Sequence, residues 1–163
     1  MTLRIGLGFD SHPLVTGRDL VLAGVNIEYE KGLNGHSDGD ALTHAFIDAL
    51  LGAAGLGDIG TFFPSSDPDL EGVKSTNLLR ESYQLVKENK FSIVNADAII
   101  YANAPVLSPY RKQMIFSFGE VLNLDENLLN IKFKTLEGIV NTQEASTNMM
   151  IAAHFVVLLE SFK

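Results

Sequence analysis

Cysteine is absent from all 163 residues, which excludes disulfide frameworks, thiolate metal sites and cysteine nucleophiles together. The same absence is compatible with a reducing compartment. Basic residues are few: 12 Lys and Arg face 20 Asp and Glu, for a formal charge of −8, and no basic cluster could neutralise a run of phosphates. No nucleic-acid partner is expected. Nowhere do about 18 apolar residues follow one another, and MTLRIGLGFD lacks a charged segment leading into an apolar run. Neither a membrane span nor a signal or transit segment is expected, and the expected location is cytoplasmic. The chain also has no G-x-x-x-x-G-K-[ST], no G-x-S-x-G and no Ser-His-Asp signature. Gly6 and Gly8 begin a dinucleotide fingerprint, but Ser11 stands where its third glycine is needed.

What is present describes an ordinary globular chain, 46% hydrophobic and 20% charged. A length of 163 residues suits one domain over residues 1–163 that buries roughly 70% of its unfolded surface. LRIGLGFD predicts a first strand ending near Asp10, and DLVLAG and VNIEYEKG predict a hairpin around Gly24. From Asp40 the spacing turns helical through Leu42, Ala45, Phe46, Ala49 and Leu50, ending in LGAAGLGDIG. TFFPSSDPDLEGVKS reads as a loop long enough to be functional. A helix over 75–89 follows, then a strand stopped by Pro105, a helix over 108–121 with Ser108 as N-cap, a late strand in NIKFKTLEG and a final helix over 143–162. The fold class is α+β (mixed α/β), a mixed sheet with helices on one face.

Three of the four histidines lie with carboxylates in GFDSH and GHSDGDALTH. Positions i and i+2 of a strand project to one side, so Asp10 and His12 can converge on one point. Residues four apart on a helix share a face, which lets Asp40 sit beneath His44 and accept the ring N–H that a metal does not use. A third ligand, a nitrogen from that helix, would complete a zinc site with an open fourth position, as catalysis requires. The plainer alternatives are turn chemistry for the D-x-H pair and a polar loop for GHSDGD, with Ser37 or Asp38 capping the next helix. His154, among Ala152, Ala153, Phe155 and Val156, reads as a packed helix residue rather than a ligand.

RIGLGFDSH, YEKGLNGHSDGDALTHAFIDALLGAAGLGDIG, FPSSDP and STNLLRES resemble the 2-C-methyl-D-erythritol 2,4-cyclodiphosphate synthase family. The likeness is dense over residues 1–80, looser to 137 and faint beyond, where IVNTQEASTNMM holds no arginine in place of the family's glycine- and arginine-bearing stretch. The resemblance implies closure of a cyclic diphosphate with expulsion of CMP, in non-mevalonate isoprenoid synthesis. It implies that Asp10, His12 and His44 hold zinc and that Glu137 holds magnesium or manganese, an oxygen-ligated hard ion. An acidic protein that brings two phosphates together needs such cations.

It further implies that His36 and Ser37 contact phosphate and that Thr135 stabilises the transferring phosphoryl group, with Lys134 beside it in the nucleotide-binding set. Asp58 and Gly60 would meet substrate hydroxyls, although Asp58 also reads as an ordinary helix-terminating turn. Phe63, Pro64, Ser65, Ser66 and Asp67 would fold over the erythritol. Ala102, Asn103, Ala104, Pro105, Val106, Leu107 and Ser108 would read cytosine through their backbone. The family forms a homotrimer with sites between subunits, for which Ile139, Val140 and the apolar last segment offer buried surface. Two other functions compete with an active synthase: a binding module without turnover, and a zinc phosphohydrolase.

Overall fold

The structure is a computed structural model that describes residues 1–136 and 149–163. Its framework is a five-stranded mixed sheet in the order β4-β1-β7-β5-β6. Here β1 is Leu3–Thr16, β4 Lys31–Leu33, β5 Phe91–Tyr101, β6 Leu129–Lys134 and β7 Met150–Ser161. Among the described residues only β5 and β6 pair in parallel; β7 pairs antiparallel with both β1 and β5. A separate hairpin joins β2, Leu20–Leu22, to β3, Val25–Ile27. Its two turn residues, Ala23 and Gly24, both have positive φ, which matches the twist of the flanking strands.

Alternation along β1 turns Leu3, Ile5, Leu7 and Phe9 to one face and Gly6, Gly8, Asp10 and His12 to the other. The apolar residues are the outward ones: Ile5 is 73% and Leu7 64% exposed. The glycines face helix α1, Ala41–Ala54, which crosses so closely that a Cβ on Gly6 would stand 1.9 Å from the Ala49 carbonyl oxygen. Close crossing explains the GLG that failed as a dinucleotide motif. Most of the surface of α1 is buried because the sheet covers one side and α3, Ser75–Glu88, packs on another, which leaves only a narrow stripe through His44, Asp48 and Gly52 less covered. Phe46 stacks on Phe155 of β7 at 4.0 Å and meets Phe118 of α4, Arg111–Leu122, edge-on at 5.3 Å. The helices thus lie on one face of the sheet, as the α+β reading expects.

Several expected elements change. The final helix is a strand: 150–161 is β7, the middle of the sheet, and the part of the expectation over 143–148 lies outside the described residues. An apolar run does not declare its period, and β-branched Ile151, Val156 and Val157 with pairing on both edges decide for a strand. His154 therefore sits on a strand, packed against Phe9 and Tyr101. β1 does not end near Asp10 but continues to Thr16, because β7 and then β4 pair with its second half. Ser108 is not an N-cap: it opens a 3-10 turn, Ser108–Tyr110, that feeds α4.

Candidate metal centre and substrate pocket

Asp10 and His12 reach the same side of β1, and α1 brings His44 over them from its first turn. The N-cap of that helix is Asp40, whose carboxylate accepts the Thr43 N–H at 3.0 Å, the Thr43 hydroxyl at 2.7 Å and the Gly24 N–H at 2.8 Å. One buried side chain thereby fixes the start of α1 to the hairpin. Burial, helped by the neighbouring charge of Asp38, pushes Asp40 above the ordinary carboxylate range.

Asp10 Oδ2, His12 Nε2 and His44 Nδ1 form a triangle with edges of 2.8, 2.9 and 3.3 Å. Bonds of about 2.05 Å at tetrahedral angles would separate zinc ligands by about 3.3 Å. These edges lie close to that spacing, and a carboxylate with two imidazole nitrogens is the donor set that such a first-row cation takes. Acceptor atoms facing one another at these distances need a proton or a cation between them. Without metal, burial raises Asp10, but the hydrogen bonds and charge of His12 and His44 outweigh it and hold Asp10 well below the usual range. His44 is lowered by burial and lifted more by Asp10, so it ends above its ordinary value.

The partner expected beneath His44 is not Asp40, whose oxygens are taken by the helix cap and the hairpin. His44 Nε2 instead lies 2.8 Å from the Ser75 hydroxyl and 3.0 Å from that of Ser37. Asp38, also set aside by the plainer reading as a helix cap of α1, in fact holds α3: it accepts the Ser75 N–H at 3.0 Å and the Ser75 hydroxyl. Arg18 clamps the loop before α1 by donating to the Gly35 and Ser37 carbonyls at 2.9 and 2.7 Å. Sequence reasoning singled out neither Ser75 nor Arg18 for these contacts. Ser75 carries a faint signal, a serine at the end of a glycine-containing loop just before a periodic helix.

A cavity of about 360 Å³ opens beside the triangle, with His12, His36, Ser37, His44, Gly60, Phe63 and Ser65 among its walls. The His36 Nε2–H donates to the Asp67 carbonyl at 3.1 Å, tying the two loops together. Asp58, Pro64, Ser66 and Asp67 stand next to this cavity rather than in its wall. Asp58 caps the start of the short helix α2, Ile59–Phe62, taking the Thr61 N–H and hydroxyl on Oδ1, so it opens a helix rather than terminating one. Asp48, one turn beyond His44, fastens that helix to α1 by accepting the Ile59 N–H at 2.8 Å.

A second cavity of about 140 Å³ gathers Ala102, Asn103, Pro105, Val106, Leu107, Ser108, Lys134 and Thr135 at the ends of parallel β5 and β6. The Ala102 N–H donates to the Lys134 carbonyl, and Asn103 Oδ1 accepts the Leu136 N–H at 2.8 Å. Ala104, joined to Pro105 by a cis peptide bond, is not in its wall. Among the described residues, the two cavities share no lining residue. Ser11 and Tyr101 both pair with Ala152, so both cavities open toward one end of the sheet. Glu137 lies outside the described residues.

A candidate three-donor cation centre, set within β1 and on the first turn of α1 beside a loop-walled cavity, is the feature expected of a metal-binding α+β domain. The chain belongs to the YgbB family, whose model matches residues 3–160, through the segment where the sequence likeness fades. A 2-C-methyl-D-erythritol 2,4-cyclodiphosphate synthase of Desulfatibacillum aliphaticivorans is 49% identical over 137 residues, 84% of this chain and 88% of that one. The like-named protein of Halothermothrix orenii is 48% identical over 159 residues, 96% of this chain and 93% of its own. A solved synthase structure in its CDP-bound form superposes with a TM-score of 0.86 at 40% identity, covering 96% of this chain and 100% of that one. The bifunctional IspDF of Campylobacter jejuni gives 0.91 at 37% identity over 99% of this chain, which spans 43% of that longer protein.

Proposed function

We propose that this chain is a metal-dependent cyclodiphosphate synthase acting on 4-diphosphocytidyl-2-C-methyl-D-erythritol 2-phosphate, in non-mevalonate isoprenoid synthesis. An oxygen of the 2-phosphate forms a bond to the β-phosphorus. The bond from that phosphorus to the bridging oxygen breaks, and CMP leaves with the electron pair. The products are CMP and the 2,4-cyclodiphosphate. The observation that carries this reading is the convergence of Asp10, His12 and His44 on one point beside a cavity walled by His36 and Ser37.

Zinc held by that triad, with magnesium or manganese at Glu137, would offset the repulsion between diphosphate and phosphate oxygens. His36 and Ser37 orient the attacking phosphate, and Thr135 with Lys134 meets the diphosphate from the second cavity. Gly60, Phe63 and Ser65 enclose the erythritol, aided by Asp58, Pro64, Ser66 and Asp67. The 102–108 segment offers backbone groups to cytosine. Two cavities that share none of the described residues, and a bare apolar sheet face, favour a homotrimer in which each site combines parts of neighbouring chains. The acidic charge argues against a nucleic-acid partner, and the lack of cysteine fits the cytoplasm. Among the described residues, no helix is long and apolar enough to cross a membrane.

Phosphorus NMR of the purified protein with zinc, magnesium and substrate tests the reading. It should show CMP and a cyclic product, both lost in His44→Ala. A linear phosphate product would identify a hydrolase instead, and CDP binding without turnover a binding module.

A further inference from the structure

We infer that Ser75 is a positioning residue that fixes the ring of His44 with its proton on Nε2, so that Nδ1 is the nitrogen presented to the cation. The inference rests on the metal-centre reading of Asp10, His12 and His44. It follows from counting donors. Asp38 receives three of them: the Ser75 N–H at 3.0 Å on Oδ2, and the Ser75 hydroxyl and the Asp40 N–H, the latter at 3.2 Å, on Oδ1. All three are accepted by the carboxyl oxygens of Asp38. The single hydroxyl proton of Ser75 is therefore committed to Asp38, and its lone pairs face outward.

Those lone pairs meet His44 Nε2 at 2.8 Å and the Ser37 hydroxyl at 3.2 Å. An imidazole lone pair opposite a serine lone pair at that separation would repel, so Nε2 must bring the proton. Ser37 then donates to Ser75 and takes the Gly39 N–H at 3.4 Å, which leaves each group in the network paired. Ser75 is fully buried, so water does not substitute for its partners. Nδ1 is left with its lone pair directed at Asp10 Oδ2 and His12 Nε2, where the cation would bind. The chain Asp38, Ser75, His44 passes negative charge toward the ligating nitrogen, as outer partners of metal-bound histidines do. Ser75 is also the first residue of α3, so the same carboxylate that orders the ligand holds that helix in place.

Zinc affinity, measured by competition with a chromogenic chelator, and nitrogen-15 shifts of the His44 ring in the zinc-loaded protein together test this. The parent should show a metal-bound Nδ1 and a protonated Nε2. Ser75→Ala should bind zinc roughly 10- to 100-fold more weakly, with Ser75→Thr, which keeps the hydroxyl, restoring most of it. Zinc on Nε2 in the parent overturns the inference even if Ser75→Ala does not fold, and so does an affinity in folded Ser75→Ala indistinguishable from the parent. A parent that takes up no zinc overturns the metal-centre reading itself, and this inference with it.

Discussion

Gly8 lies against Ala45 so closely that a Cβ on Gly8 would stand 1.8 Å from the Ala45 carbonyl oxygen. Gly8 is two residues from Asp10, and Ala45 follows His44, so this contact sets the distance between the two halves of the metal centre. Gly8→Ala must push α1 away from β1. Overpacking of this kind costs about 1–3 kcal/mol or more. Thermal melting should show the loss, and zinc affinity should fall more than in a Gly52→Ala control, where a Cβ meets nothing within 4 Å.

The metal-free protein should be most stable in mildly acidic solution. His44 is raised in the fold, so its contribution is complete below its unfolded value near 6.5 and is lost as pH climbs through the folded one. Asp10 is lowered, so its contribution is complete above 3.8 and is lost as pH falls further. Melting temperatures of chelator-treated protein should therefore peak between those limits. Zinc should flatten the alkaline side, because binding displaces the His44 proton. A melting temperature that keeps rising from pH 6 to pH 9 without metal would contradict this.

Asp40→Ala removes an N-cap and leaves the Gly24 and Thr43 donors without their acceptor. The combined loss is roughly 2–4 kcal/mol in urea unfolding. Since Asp40 does not touch the triad, refolded Asp40→Ala should still take up zinc.

Asn103→Ala should weaken CDP binding roughly 3- to 10-fold in calorimetry, because the Leu136 N–H loses its acceptor and the second cavity its shape. Zinc content should not change. An equal fall in zinc would mean that the two cavities are not independent.

Leu7→Asp places a charge on the bare apolar face without touching α1. Sedimentation should show the parent as a trimer and this variant as a smaller species. A parent that sediments as a monomer would remove the reason for dividing the site between chains.

Short-range pattern carried much of this. The two-residue spacing of Asp10 and His12 gave their common side, and the turn residues of the β2–β3 hairpin and the helical spacing after Asp40 marked their elements. What stayed hidden depended on partners far along the chain. Apolar Ile151 to Leu159 has no readable period, so only pairing with β1 and β5 shows a strand. In β1 the alternation was visible but its sense was not, since glycines face the core wherever a helix crosses closely. The same limit applies at His44. Asp40 is the neighbour in sequence, whereas Ser75, 31 residues away, is the one in contact.

The placement of β7 has a bearing on biosynthesis. β1 and β5 never touch as strands; the segment that joins them, residues 150–161, lies far downstream of both. A growing polypeptide can form α1 and the β2–β3 hairpin early, yet must hold two unsatisfied strand edges until that segment clears the ribosome.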